Sequence, residues 1–137
     1  MSVSKTSPKG LLRRRTVADV MTRQVHVAGP LAQFERLVRL IGENRVSSIP
    51  IVDRQGVPIG IVSESDLLLD ERRTDGPKDA IASEVMTSPV ITIASDASRS
   101  QAARLMRERN IRRLVVVDER GRIAGIVSRS DLLGLLS

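Results

Sequence analysis

The chain has 137 residues, 41% of them hydrophobic, which is enough apolar surface to bury a core of ordinary domain size. It holds no Cys, Trp or Tyr, one Phe and a single histidine, His26. That excludes a disulfide framework, thiol chemistry, cysteine or histidine metal clusters and aromatic platforms for single-stranded nucleic acid. The formal net charge of +6 favours polyanionic or phosphorylated partners without saying anything of the fold.

Residues 1–15, MSVSKTSPKGLLRRR, read as a basic flexible tail, with no apolar stretch long enough for a secretory signal. The longest apolar runs, such as LVVV at 114–117, fall far short of the roughly 20 residues that cross a bilayer. A cytoplasmic protein with no membrane contact is the expectation. Thr16 and Asp19 stand at capping-box spacing and open a short turn through Val20-Met21. A strand is predicted at VHVA, 25–28, then a helix with Pro30 in its first turn and Phe34, Leu37, Val38 and Ile41 as its apolar stripe. A hairpin follows, IPIVD to VPIGIV around Arg54-Gln55-Gly56, and a short helix carries Asp66-Leu67-Leu68.

The segment 69–81 is polar, contains Gly76-Pro77 and reads as a linker. Beyond it the order recurs. Sliding the chain by 65 residues lays Val20-Met21-Thr22 on Val85-Met86-Thr87, Val52-Asp53 on Val117-Asp118, and GIVSESD, 60–66, on GIVSRSD, 125–131, with no gap. The second copy predicts a strand at VITIA, 90–94, and a helix capped by Ser95-Asp96 with Ala102, Ala103 and Met106 inward. A hairpin around Glu119-Arg120-Gly121 and a last helix at Asp131-Leu132-Leu133 complete it. The segments are therefore 1–15 tail, 16–68 first repeat, 69–81 linker and 82–137 second repeat.

The doubled VMT turn, the strands RVSSIPIVD and IRRLVVVD, and the two Gly-h-x-Ser-x-x-Asp signatures resemble a tandem pair of cystathionine β-synthase (CBS) domains, a Bateman module. The resemblance covers 17–133. It implies an α+β fold of two βαββα repeats packed by pseudo-twofold symmetry through their small sheets. It also implies a regulatory, non-catalytic module that binds AMP, ADP, ATP, NAD or S-adenosylmethionine in the clefts between its repeats. No cofactor is required beyond that adenine nucleotide. Such modules commonly pair as a homodimer, and here the regulated protein would be a separate chain.

The resemblance assigns the signature Asp to ribose hydroxyls and the Ser to phosphate, roles that suit an acceptor-only carboxylate and a donating hydroxyl. It implies a first site of Val25, Val27, Ala28, Val46, Ser47, Arg112, Arg113, Ser128, Ser130 and Asp131. A second joins Arg45, Ser63, Ser65, Asp66, Val90, Ile91, Ile93 and Ile111. The same signature also reads as a serine cap followed by a carboxylate at the positive end of a helix, which would account for it with no ligand. The sites are not equivalent: Val115 replaces Pro50, and Arg129 replaces Glu64 one residue after the signature serine. The Asp131 site, with Arg112, Arg113 and Arg129, is expected to take the more highly phosphorylated ligand.

Catalysis is not expected, because no Walker loop, second histidine or metal-binding carboxylate motif is present. Two alternatives are a ligand-free dimerisation scaffold and nucleic-acid binding through the tail with Arg104 and Arg107, which share a helix face. The second is disfavoured, since a solvated helix face explains those arginines.

Overall fold

The computed structural model describes residues 16–71 and 80–134. The basic tail and most of the linker lie outside them. The described elements are α1 (Val17–Val20), α2 (Phe34–Asn44), β1 (Ser48–Val52), β2 (Pro58–Ser63), α3 (Glu64–Glu71), α4 (Ala82–Val85), β3 (Thr92–Ala94), α5 (Arg99–Arg109), β4 (Arg113–Val117), β5 (Ile123–Ser128) and α6 (Arg129–Gly134). Helices and small sheets are mixed, as the α+β reading requires. No described helix is long and apolar enough to cross a membrane.

The chain divides into two compact units. Val25–Val90 with Gly121–Ile123 form one, and the segments to Gln24, Ile91–Arg120 and from Ala124 form the other. In the first unit β1 and β2 pair antiparallel, Ile49 on Val62 and Ile51 on Gly60, with a register shift at Ile51/Val52. The hairpin turns where predicted: Gly56 takes φ 83°, and Asp53 Oδ1 accepts from the N–H of Gln55 at 2.9 Å and of Val57 at 2.9 Å. Ala28, Phe34, Leu37, Ile41, Ile49, Ile51, Val62, Leu67 and Ala82 form its core. In the second unit the sheet order is β3-β4-β5, with β3 parallel to β4, and Gly121 at φ 79° marks the equivalent turn. Its core is Val17, Ile93, Ala102, Met106, Leu114, Val116, Val127 and Leu132.

Val17 belongs to the first repeat yet lies in the second unit's core, and Ala82 is exchanged the other way. Each four-residue opening helix is held by the other repeat's loop carbonyls, which satisfy N–H groups that so short a helix cannot pair internally. Val17 N–H donates to the Ala97 carbonyl at 2.9 Å and Ala18 N–H to that of Ser95 at 2.9 Å. Ala82 N–H donates to the Ala32 carbonyl at 2.8 Å and Ser83 N–H to that of Pro30 at 2.9 Å. The VMT turns follow: Thr22 exchanges both backbone bonds with Ile126 at 2.8 and 3.0 Å, and Thr87 does so with Ile61 at 2.8 and 3.1 Å.

Three sequence expectations are corrected. No strand forms over 25–28; only Ala28 bridges Ile51, its N–H donating to the Pro50 carbonyl at 3.1 Å and its carbonyl accepting from Val52 N–H at 2.9 Å. The next rung would need an N–H from Pro50, which has none. Val115 stands at the matching place, and there Thr92, Ile93 and Ala94 pair with Val115, Val116 and Val117. Second, α2 begins at Phe34 after Gln33, leaving Pro30 in the loop that receives α4. Third, Ser98 rather than Ser95-Asp96 caps α5, accepting from Gln101 N–H at 3.1 Å while Gln101 Oε1 accepts from Ser98 N–H at 2.8 Å.

At α1 the capping expectation is half met. Asp19 Oδ2 accepts from Thr16 N–H at 2.9 Å, but the Thr16 hydroxyl does not cap the helix.

Candidate functional site

Each signature sits where a strand turns directly into a helix, β2 into α3 and β5 into α6. The turn is closed identically in both. Asp66 Oδ2 accepts from Ser63 N–H at 2.8 Å, and Ser63 Oγ accepts from Asp66 N–H at 3.3 Å. Asp131 Oδ2 accepts from Ser128 N–H at 2.8 Å, and Ser128 Oγ accepts from Asp131 N–H at 3.1 Å. The cap read from the sequence is therefore present in both copies, and it engages one carboxylate oxygen of each aspartate. Neither Oδ1 accepts a hydrogen bond among the described residues, so each half-buried aspartate retains an acceptor.

A backbone bond ties each helix start to the segment entering the preceding strand. Glu64 N–H donates to the Ser47 carbonyl at 3.0 Å, and Arg129 N–H to the Arg112 carbonyl at 2.8 Å. One junction thus gathers Ser63, Asp66, Val46 and Ser47; the other gathers Ser128, Asp131, Ile111, Arg112 and Arg113. Both entering segments follow a left-handed residue at the end of a long helix, Arg45 at φ 54° and Asn110 at φ 54°. Asn tolerates that conformation and Arg carries a steric cost there, so Arg45 is held in a disfavoured backbone state beside a candidate site.

Ser47 Oγ is buried and has no hydrogen-bond partner among the described residues. Buried hydroxyls are normally satisfied, and this one belongs to the expected ligand set. At the other junction the same place carries Arg112, exposed like Arg113. In the first unit the Ser63 and Ser65 hydroxyls also share a bond at 2.9 Å.

Of the eighteen residues expected to contact ligand, Val25, Val27, Ala28, Arg45, Val46, Ser47, Ser63, Ser65, Asp66 and Val90 lie in the first unit. Ile91, Ile93, Ile111, Arg112, Arg113, Ser128, Ser130 and Asp131 lie in the second. Ala28 and Ile93 are core, each bonded or packed in its own sheet. Arg129, whose N–H bonds the Arg112 carbonyl at the second junction, also lines a groove between α5 and α6 with Arg107. Arg112 and Arg113 enter the same junction and are exposed. No group of His, Asp or Glu among the described residues is placed to hold a metal ion.

The signature glycines were legible as letters and not as a mechanism. A Cβ on Gly125 would stand 2.6 Å from Met21 Sδ and 2.6 Å from the Thr22 carbonyl oxygen. A Cβ on Gly60 would overlap Met86 Sδ and lie 2.8 Å from its Cγ and 3.1 Å from the Thr87 carbonyl oxygen. The glycine is therefore the notch that admits the exchanged VMT turn. The 65-residue shift aligns Gly60 with Gly125 and Met21 with Met86 but cannot reveal that each glycine serves the other repeat's methionine.

The chain matches the CBS domain family over residues 17–70 and 82–137. Uncharacterized protein MK0525 of Methanopyrus kandleri is 33% identical over 123 residues, 89% of this chain and 63% of that protein, so the chain spans less than two thirds of this relative's length. The crystal structure of Arabidopsis thaliana CBSX2 in complex with AMP superposes with a TM-score of 0.78 at 28% identity, covering 88% of this chain and 95% of that one. The CBS domain pair of protein MJ0100, in complex with 5-methylthioadenosine and S-adenosyl-L-methionine, gives a TM-score of 0.78 at 25% identity and covers 89% and 95%.

Proposed function

Because the chain belongs to the CBS domain family, we propose that it is a non-catalytic regulatory module that binds adenosine-containing ligands, AMP, ADP, ATP, NAD or S-adenosylmethionine. In this reading it works in the cytoplasm as a homodimer and acts on a separate protein. The likeness to two pairs solved with AMP and with S-adenosyl-L-methionine supports the ligand class. The observation that carries the reading is the doubled strand-to-helix junction, in which Ser and Asp are fixed by mutual capping while one carboxylate oxygen of the Asp keeps its acceptor capacity.

The proposed roles follow from that chemistry. Oδ1 of Asp66 and of Asp131 accepts from ribose hydroxyls, and the Ser47 hydroxyl finds in the ligand the partner it lacks. Arg112 and Arg113 meet phosphate oxygens. The aliphatic Val25, Val27, Val46, Val90, Ile91 and Ile111 contact the base without needing aromatic rings. The remaining proposed contacts are Ala28, Arg45, Ser63, Ser65, Ile93, Ser128 and Ser130.

A thermal-shift panel tests the reading. A ligand at 100 times its dissociation constant stabilises the folded state by about 2.7 kcal/mol, so at least one of AMP, ADP, ATP, NAD or S-adenosylmethionine raises the melting temperature by several degrees. Asp66→Ala with Asp131→Ala in one chain abolishes the shift. A wild-type protein that answers to none of the five overturns the ligand reading and favours a ligand-free scaffold.

A further inference from the structure

The chain holds four methionines and no Cys, Trp or Tyr, so thioether sulfur is its most readily oxidised side-chain atom. Three of the four lie among the described residues, in two different settings. Met106 is 2% exposed inside the core of the second unit. Met21 and Met86 are half-buried, and each closes a four-residue opening helix. The N–H of Met21 donates to the Val17 carbonyl at 2.9 Å, and that of Met86 to the Ala82 carbonyl at 2.9 Å. Their sulfurs fill the two glycine notches, Met21 Sδ against Gly125 and Met86 Sδ against Gly60. Met21 and Gly125 belong to one compact unit, Met86 and Gly60 to the other, so each notch is complete within its unit.

A notch that admits no methyl group is equally closed to an oxygen added on sulfur. That oxygen would also lack a donor. The threonine carbonyl in each notch is an acceptor itself, and the nearby N–H groups are taken. Thr22 and Ile126 donate to each other's carbonyl at 2.8 and 3.0 Å, and Thr87 and Ile61 do so at 2.8 and 3.1 Å. A sulfoxide held in place leaves a polar atom unsatisfied, and one turned toward water draws the sulfur from its seat. Gly60 and Gly125 stand three residues before Ser63 and Ser128, so the strand that loosens is the one leading into the signature.

We propose that Met21 and Met86 are paired oxidation sites, and that converting them to sulfoxides releases the two exchanged opening helices. The oxidant is a peroxide. A sulfur lone pair attacks the terminal peroxide oxygen, the O–O bond breaks and an S–O bond forms. The proton passes to the departing oxygen, which leaves as water or an alcohol, and the two electrons lost by sulfur reduce the peroxide. Methionine sulfoxide reductases reverse this step, so the seat can be restored. The inference stands independently of the ligand reading.

Peptide mapping by mass spectrometry, after exposure of the folded full chain to hydrogen peroxide, tests it. Met21 and Met86 should gain one oxygen about tenfold faster than the buried Met106. The oxidised protein should melt about 4 °C or more below the untreated protein. Hydrogen exchange at the amides of Val17, Ala18, Ala82 and Ser83, whose bonds hold the opening helices, should accelerate more than in the β1–β2 ladder. Treatment with methionine sulfoxide reductases should undo both changes.

Met21→Leu with Met86→Leu, close in volume and inert to peroxide, should melt near the wild-type temperature and lose nothing on treatment. Met106→Leu should stay as sensitive as the wild type. If the double variant does not fold, each single variant should lose less on treatment than the wild type does. Oxidation of Met106 at the same rate would overturn the proposal. So would sulfoxides at 21 and 86 that leave melting and exchange unchanged, or an equal loss in the leucine variants.

Discussion

Replacing Gly125 with alanine is the sharpest test of the exchanged turns. The added methyl would stand 2.6 Å from Met21 Sδ and 2.6 Å from the Thr22 carbonyl oxygen. Methionine can swing aside, but Thr22 is pinned by its two backbone bonds to Ile126 at 2.8 and 3.0 Å. Overpacking costs about 1–3 kcal/mol, and weakening each of those bonds adds about 0.5–1.5 kcal/mol. The alanine recovers roughly 0.4–1 kcal/mol by restricting the unfolded chain, so the net loss is roughly 1–6 kcal/mol.

At Gly60 the closest atoms belong to the Met86 side chain, while the Thr87 carbonyl oxygen is farther away at 3.1 Å. Met86→Ala should therefore rescue most of the penalty of Gly60→Ala, whereas Met21→Ala should leave most of the penalty of Gly125→Ala. Denaturant unfolding of the four single and two double variants, read as two double-mutant cycles, gives the comparison. Loss of less than about 0.5 kcal/mol for Gly125→Ala, or equal rescue at both sites, would refute the notch.

Gly42, exposed within α2 with nothing within 4 Å of an added Cβ, should become alanine with a gain of about 0.5–1 kcal/mol, seen as a higher denaturant midpoint. Ser47→Ala removes an unpaired buried hydroxyl, so the ligand-free protein should hold or gain stability while nucleotide affinity, measured by calorimetry, falls about tenfold. Arg112→Ser with Arg113→Ser should weaken ATP far more than adenosine and flatten the salt dependence of ATP binding. An equal loss for both ligands would remove these arginines from phosphate recognition.

The long-period pattern was readable because the repeat runs without a gap: both hairpin turns fall where Gly56 and Gly121 were placed, at φ 83° and 79°. The α2 stripe of Phe34, Leu37 and Ile41 is buried as its spacing required. Val38, counted in that stripe, is instead exposed at its edge. Local chemistry misled where tertiary partners decide. Pro30 and Ser95 carry good helix-start credentials, yet the carbonyls of Pro30 and Ser95 serve the exchanged helices. The strand at 25–28 failed for a reason visible in the letters, the proline at position 50, which bears on a ladder only once the neighbour of β1 is known.

The signature was legible as a candidate site, and its capping half is observed bond for bond.

The exchange of opening helices has a consequence for how such a chain can come apart. A fragment ending within the linker would keep the Gly60 notch but lose Met86, and would keep Met21 with no Gly125 to receive it. Two identical one-repeat chains could trade these segments and complete each other, so the covalent link between the repeats makes intramolecular what would otherwise be an exchange between molecules. Melting should accordingly be one transition, since losing either unit strips a core residue, Val17 or Ala82, that its sequence neighbours cannot replace.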